Sequence, residues 1–216
     1  MNAVIEKVTA FVTRMVNGRR ELLLFQHPYA GIQIPAGTVE PGEAPDAAAI
    51  RETHEETGLR DVAIDQYLGV REVVLPDTRR MIIAPTGVYA RPDRMSFNWI
   101  QLGRGLTVTA ERQSGDFTQI TYQEWDRQAE PAYVSYQITG WVPSNVLAQV
   151  HQRHFFTLTT TDATPERWLN TAEQVLRFTL FWTPLDALPP LRSSQAAWLA
   201  VFLAHQAPQE NGQPPD

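Results

Sequence analysis

The sequence predicts an α/β chain interrupted by a small all-β barrel, and three observations carry that prediction. One acidic helix, framed by Pro45 and Gly58, lies among β-branched and apolar runs of strand length. From about residue 84 to residue 148 the chain changes character: these 65 residues hold three of the six tryptophans and four of the six tyrosines, between short, glycine-punctuated strands. Taking that span out of the 216 residues leaves 151, an ordinary size for one domain. The expected division is nested: a core over 1–83, the inserted barrel over 84–148, the rest of the core over 149–206, and a disordered tail over 207–216.

Each element has its own local reason. Residues 8–16 and 21–26 read as strands joined across Asn17-Gly18, a dipeptide suited to a tight hairpin turn. Residues 31–35 form a short apolar run ending in Pro35-Ala36-Gly37, followed by a Gly/Pro/Glu loop to Glu43. A helix then begins near Pro45, because proline suits the first helical position, and stops at Gly58 as its cap. Strands follow at 62–74 and 79–83, the second read as a core neighbour of another at 154–160. In 175–182, Leu176, Phe178, Leu180 and Trp182 share one face while Arg177 and Thr179 take the other. Ser193 or Ser194 caps a last helix through about Ala204, and the tail QAPQENGQPPD is too polar and proline-rich to fold.

Composition excludes several classes of function. With no cysteine, the chain has no disulfide, no thiolate metal site and no cysteine nucleophile. A net charge of −6 disfavours nucleic acid and anionic membranes as partners, since both need a basic surface. Lys7 is the only lysine beside 17 arginines, and no G-x-S-x-G elbow occurs. Neither a signal peptide nor a membrane span is legible, so a cytoplasmic location is expected.

The chemistry concentrates in GTVEPGEAPDAAAIRETHEETGL, residues 37–59, spaced as G-x5-E-x7-R-E-x-x-E-E-x-G-L. Glu52 and Glu56 stand one helical turn apart, about 6 Å along the axis, with Glu55 beside both. Carboxylates this close repel. Arg51 offsets Glu55 through its i,i+4 relation and leaves the other two. Clustered oxygen ligands of this kind suit a hard divalent cation such as Mg²⁺ shared with substrate phosphates, which points to metal-assisted attack of water on a phosphoanhydride. The glycine-bearing loop brings backbone groups and Glu43 to the same face.

The stretch from Gly37 to Leu59 resembles the Nudix box, with one departure: Thr53 stands where the pattern has an aliphatic residue, and it should face the sheet. The resemblance implies an α/β/α sandwich around a mixed sheet and a hydrolase that cleaves nucleoside diphosphates linked to another moiety, using Mg²⁺ or Mn²⁺. By position it implies Glu52 and Glu56 as main metal ligands, Glu55 as a further ligand or the group acting on the attacking water, and the carbonyl of Ala36 as a backbone ligand. Arg51 and Glu43 would orient the carboxylates, and Gly37 and Gly58 would shape the loop and the helix end. A general base from a later loop would be Glu166 or Glu173. The alternative is a noncatalytic nucleotide-binding or sensor protein on the same fold. Pro76, counted from Leu59, falls just outside the offset of the ADP-ribose subclass, and no tyrosine marks a diadenosine-polyphosphate reading.

The middle region resembles a bacterial Src-homology-3-like domain. LGRGLTV would be a glycine-turn hairpin, DFTQITY a central strand, EWDRQAEPAYVSY an enlarged loop and GWVPSNVL the closing segment. Five arginines against six acids make no basic funnel for single-stranded nucleic acid. The readings left open for the insert are a peptide-binding groove, a lid over the substrate and a homodimer surface. His151 and His154, three apart on a strand, should face opposite ways and hold no metal together.

Overall fold

The computed structural model describes residues 4–172, 176–191 and 193–206. In chain order the first core elements are β1 (Ile5–Val16), β2 (Arg19–His27), β3 (Gly31–Gln33), β4 (Ala36–Thr38), helix α1 (Pro45–Thr57) and β5 (Val62–Val74). Seven strands follow: β6 (Arg79–Ile82), β7 (Thr86–Tyr89), β8 (Asn98–Leu102), β9 (Thr107–Ser114), β10 (Phe117–Asp126), β11 (Tyr133–Pro143) and β12 (Leu147–Ala148). The chain returns through β13 (Val150–Thr160), β14 (Arg167–Ala172), β15 (Leu176–Pro184) and α2 (Ser193–Gln206).

The first sheet runs β14-β15-β2-β1-β13-β5, with β3 paired to β2 and β4 paired to β1. It is mixed, because β1 lies parallel to β13, Lys7 opposite Arg153, while the other pairs are antiparallel. Alternation along β1 sends its residues to two cores. Val8, Ala10 and Val12 pack with Ala48 and Ala49 of α1. Phe11 goes the other way, to Val201 and Phe202 of α2. The helices therefore cover opposite faces, as the α/β/α expectation requires.

The local signals act where they were expected. Asn17 and Gly18 take φ of 49° and 78°, turning β1 into β2 with Val16 opposite Arg19. Pro45 opens α1, and Gly58 closes it in the left-handed region, its N–H bonded to the His54 carbonyl at 2.9 Å. Thr53 is fully buried against the sheet. Its hydroxyl donates to the Ala49 carbonyl at 2.7 Å, so the polar atom is satisfied in an apolar position.

Four expectations change. The strand at 79–83 is not a core neighbour of 154–160: β6 pairs with β9 and β12 in a second sheet, and β13 takes β5 and β1 instead. A strand of four residues, two of them arginine, fits either sheet, and nothing local names its partner. LGRGLTV is not a hairpin, since β8 pairs with β7 and β9 with β6 and β10. EWDRQAEPAYVSY is mostly strand: Trp125 and Asp126 pair with Val134 and Tyr133, which leaves 127–132 as the loop. Its exposed outer face supplied no apolar alternation to read. The stretch between 154–160 and 175–182, read as loop, contains β14.

The second sheet, β12-β6-β9-β10-β11-β7-β8, is a path with two ends and not a closed ring. It surrounds its own core of Ile82, Val88, Leu102, Val108, Ile120, Ile138 and Val142. No helix among the described residues is long and apolar enough to cross a membrane. The tail at 207–216 and the start of the 175–182 strand lie outside the described residues, as does the Ser193 side chain.

Candidate active site

The acidic helix and the glycine loop meet edge to edge. α1 lays Ala48, Ala49, Thr53 and Thr57 on the sheet, so Glu52 and Glu56 emerge beside that stripe, next to β4. The Thr38 amide donates to Glu52 at 3.2 Å, and the Ala36 amide donates to Glu56 at 2.9 Å. Position 37 has no room for a Cβ unless Glu52 moves. A Cβ on Gly37 would lie 1.8 Å from the Glu52 carboxyl carbon.

Arg51 is the hub of the acidic group. Its Nε and Nη2 donate to both oxygens of Glu43, at 2.8 and 3.0 Å, a bidentate pair. Nη1 reaches Glu52 at 3.0 Å and Glu55 at 3.1 Å, and Nη2 also donates to the Thr38 carbonyl at 3.1 Å. One guanidinium thus links three carboxylates and the loop backbone, more than the single Glu55 pairing expected from spacing. The bond to Arg51 holds Glu43 below the usual carboxylate range, and the Glu43 contact raises Arg51 in return. Glu52 moves the opposite way: burial raises it, and Arg51 only partly offsets that. A buried carboxylate lacking full compensation attracts a cation.

Cations that sequence reasoning did not single out line the other side of β4. Lys7 Nζ donates to Thr38 Oγ1 at 3.2 Å and to the Gly105 carbonyl at 3.0 Å. Arg104 donates to the Val39 carbonyl. The 103–106 turn of the second sheet is therefore clamped onto the strand that holds Glu52. Burial, then Arg153, lower Lys7 to about 8, against an opposing pull from Glu52. Arg153 is buried under Trp198, 3.9 Å from the ring centre, and donates to the Val8 carbonyl and to Thr9 Oγ1, both at 2.9 Å. The lone lysine was the only signal that could have pointed here; neither arginine has one.

Other named residues fall elsewhere. Glu166 pairs with Arg14 at 2.6 Å. Arg14 is seven residues along β1 from Lys7, roughly 23 Å of strand, so Glu166 is not brought to the acidic group. Glu173 lies outside the described residues. His151 and His154 do part ways: His151 is buried, and His154 bonds Glu6 and Tyr67 at 3.0 Å each.

The donor set of Glu52, Glu55, Glu56 and the Ala36 carbonyl is hard oxygen, the chemistry Mg²⁺ or Mn²⁺ takes. As the side chains stand, no three His, Asp or Glu groups among the described residues are arranged to hold an ion. Arg51 and the two amides occupy the inner oxygens, and Glu55, 58% exposed, is the side chain with room to turn. The residues fit a divalent cation in kind, with that rearrangement.

The NUDIX domain family model matches residues 6–206, and the chain belongs to that family. A stretch of 52 residues, 24% of the chain, is 44% identical to YtkD of Bacillus subtilis (strain 168), provisionally named an 8-oxo-dGTP diphosphatase. That match spans 32% of the relative's length. Two Caenorhabditis elegans Ap4A hydrolase structures align over 95% and 94% of this chain and 100% and 98% of theirs, at 16% and 14% identity and TM-scores of 0.38 and 0.42. Likeness at that level carries no argument about substrate.

Proposed function

We propose that the chain is a Nudix pyrophosphohydrolase that cleaves a phosphoanhydride in a nucleoside diphosphate linked to another moiety, dependent on Mg²⁺ or Mn²⁺. The observation that carries the reading is the Arg51 hub: one guanidinium holds Glu43, Glu52 and Glu55 against the Gly37 loop, in a motif with every charged position intact. A noncatalytic descendant would have no need to keep three mutually repelling carboxylates together.

A bound divalent cation would supply charge to offset the phosphates and to lower the pKa of the attacking water. Glu52 and Glu56 are the proposed ligands, with the Ala36 carbonyl. The Thr38 and Ala36 amides each hold one of their oxygens and so set the orientation of the two carboxylates. Glu55, the most exposed of the three, would take the proton of the attacking water or complete the ligand set. Arg51 and Glu43 keep the group from splaying. We further propose that the second sheet is an inserted Src-homology-3-like module, on the strength of its separate core. Its boundary then moves from 84 to 79, because β6 pairs only within it.

The test is phosphate release from nucleotide-sugar, dinucleotide and nucleoside-triphosphate substrates with Mg²⁺. Glu56→Gln, nearly isosteric, should lower kcat by about three orders of magnitude or more while the thermal midpoint stays put, because an electrostatic contribution of this size is lost from the transition state. An unmodified chain that binds nucleotides and turns over none of the panel would favour the noncatalytic reading instead.

A further inference from the structure

A cleft of about 950 Å³ opens between the two sheets, with no residue of the acidic helix in its lining. One wall is the core segment from His27 through β3, and the other is the outer half of the β10–β11 hairpin. Three features single it out.

The first is aromatic surface. Tyr29, Trp125, Tyr133 and Tyr136 all line the cleft and are 39 to 52% exposed. Soluble proteins seldom leave four large rings together in water without a ligand for them. The hairpin's contribution to the core of the second sheet comes from Ile120 and Ile138, farther along its strands, and none of these four rings belongs to that core.

The second is rigidity. The Arg127 amide donates to the Tyr29 carbonyl at 2.9 Å, and Gln26 reaches Gln128 at 3.3 Å, so the hairpin tip is tied to the core. The walls are thus held apart at a set width, and a ligand need not order them.

The third is charge and position. Glu124 and Asp126 stand beside Arg127, and His27 accepts the Tyr29 and Ala30 amides on Nδ1 at 3.0 Å, with burial lowering its pKa. The cleft is therefore a poor phosphate site and a good one for a neutral planar group. Gln33 on its rim is three residues from Ala36, a span of at most about 10 Å. A molecule with phosphates at the acidic helix can reach the cleft with its next group.

We propose that this cleft binds the base of the nucleotide substrate, stacked on Trp125 and Tyr133 of the second sheet. The assignment rests on the hydrolase reading for its substrate class and gives the inserted sheet a role in recognition. Stacking tolerates any base, and selectivity would fall to polar groups such as Gln33 along the rim.

The test is isothermal titration of the full chain, Trp125→Ala and Tyr133→Ala with the four common nucleoside 5′-monophosphates. It is paired with kcat/KM for a nucleotide-sugar diphosphate and for base-free 5-phosphoribosyl diphosphate. Each exposed ring can be removed without opening a core. Each variant should weaken mononucleotide binding by about tenfold, the loss of one ring stack, and lower the base-bearing to base-free kcat/KM ratio by a similar factor. The proposal is overturned if no mononucleotide binds the unmodified chain, if both variants bind as it does, or if both substrates suffer equally. A chain that binds mononucleotides through these rings and hydrolyses neither compound leaves the cleft assigned and removes the hydrolase reading.

Discussion

Gly37→Ala separates the stability of the fold from the geometry of the site. The added methyl would sit 1.8 Å from the Glu52 carboxyl carbon, and 1.9 and 2.3 Å from its oxygens. Ordinary contact begins near 3.4 Å, so the whole carboxylate must retreat. It is the far end of a flexible side chain and can do so. In retreating it gives up the Thr38 amide at 3.2 Å and Arg51 at 3.0 Å. Losing two part-buried hydrogen bonds costs about 1–2 kcal/mol, or roughly 3–6 °C in a chain of this length. Catalysis should suffer far more, because a displacement of about 1 Å in a reacting constellation costs about 100-fold. The assay is kcat beside a thermal melt. Full activity in a folded Gly37→Ala chain would show that Glu52 need not stand against this loop, and would refute the site geometry.

Gly105→Ala should act through the second sheet. Gly105 has φ of 89°, and a Cβ there would meet Thr38 Oγ1 at 2.4 Å, so a loss of about 1–2 kcal/mol of stability is expected together with reduced turnover. A melt unchanged from the unmodified chain would mean the turn is not seated on β4. His151 gives a pH dependence. Burial, with Arg153 and Lys7 nearby, lowers it to about 4 in the folded chain from 6.5. The unfolded chain then takes up a proton that the folded chain refuses, so the stability present above pH 6.5 is lost as pH falls toward 4. The loss comes to about 2 kcal/mol between about pH 7.5 and pH 5. Urea midpoints for the unmodified chain and His151→Asn at both pH values check this, and parallel profiles for the two would count against it.

The acidic helix is the most legible part of the molecule. Its ends depend on one proline and one glycine, its carboxylate face on the helical period, and its motif on spacing within a single loop and helix. Each of these is local, so α1 and the Glu52, Glu55 and Glu56 cluster can be written down before any fold is known. The same holds for the Asn17-Gly18 hairpin and for the two-faced burial of the core strands.

Partnership is not legible. Alternation says which face a strand buries and not which strand lies beside it, so β6 reads as a member of the wrong sheet and β8–β9 as a hairpin. Lys7, Arg104 and Arg153 look like ordinary surface cations until β4, the 103–106 turn and Trp198 close over them. They matter through contacts as much as 145 residues apart in sequence. By itself the sequence determined a family, a helix and its acidic chemistry, since those depend on neighbours a turn or two away. The tertiary structure decided that a second sheet reaches across to grip the strand beside Glu52 and to build an aromatic cleft. Both depend on which distant surfaces pack together, and that free energy is summed over the whole chain.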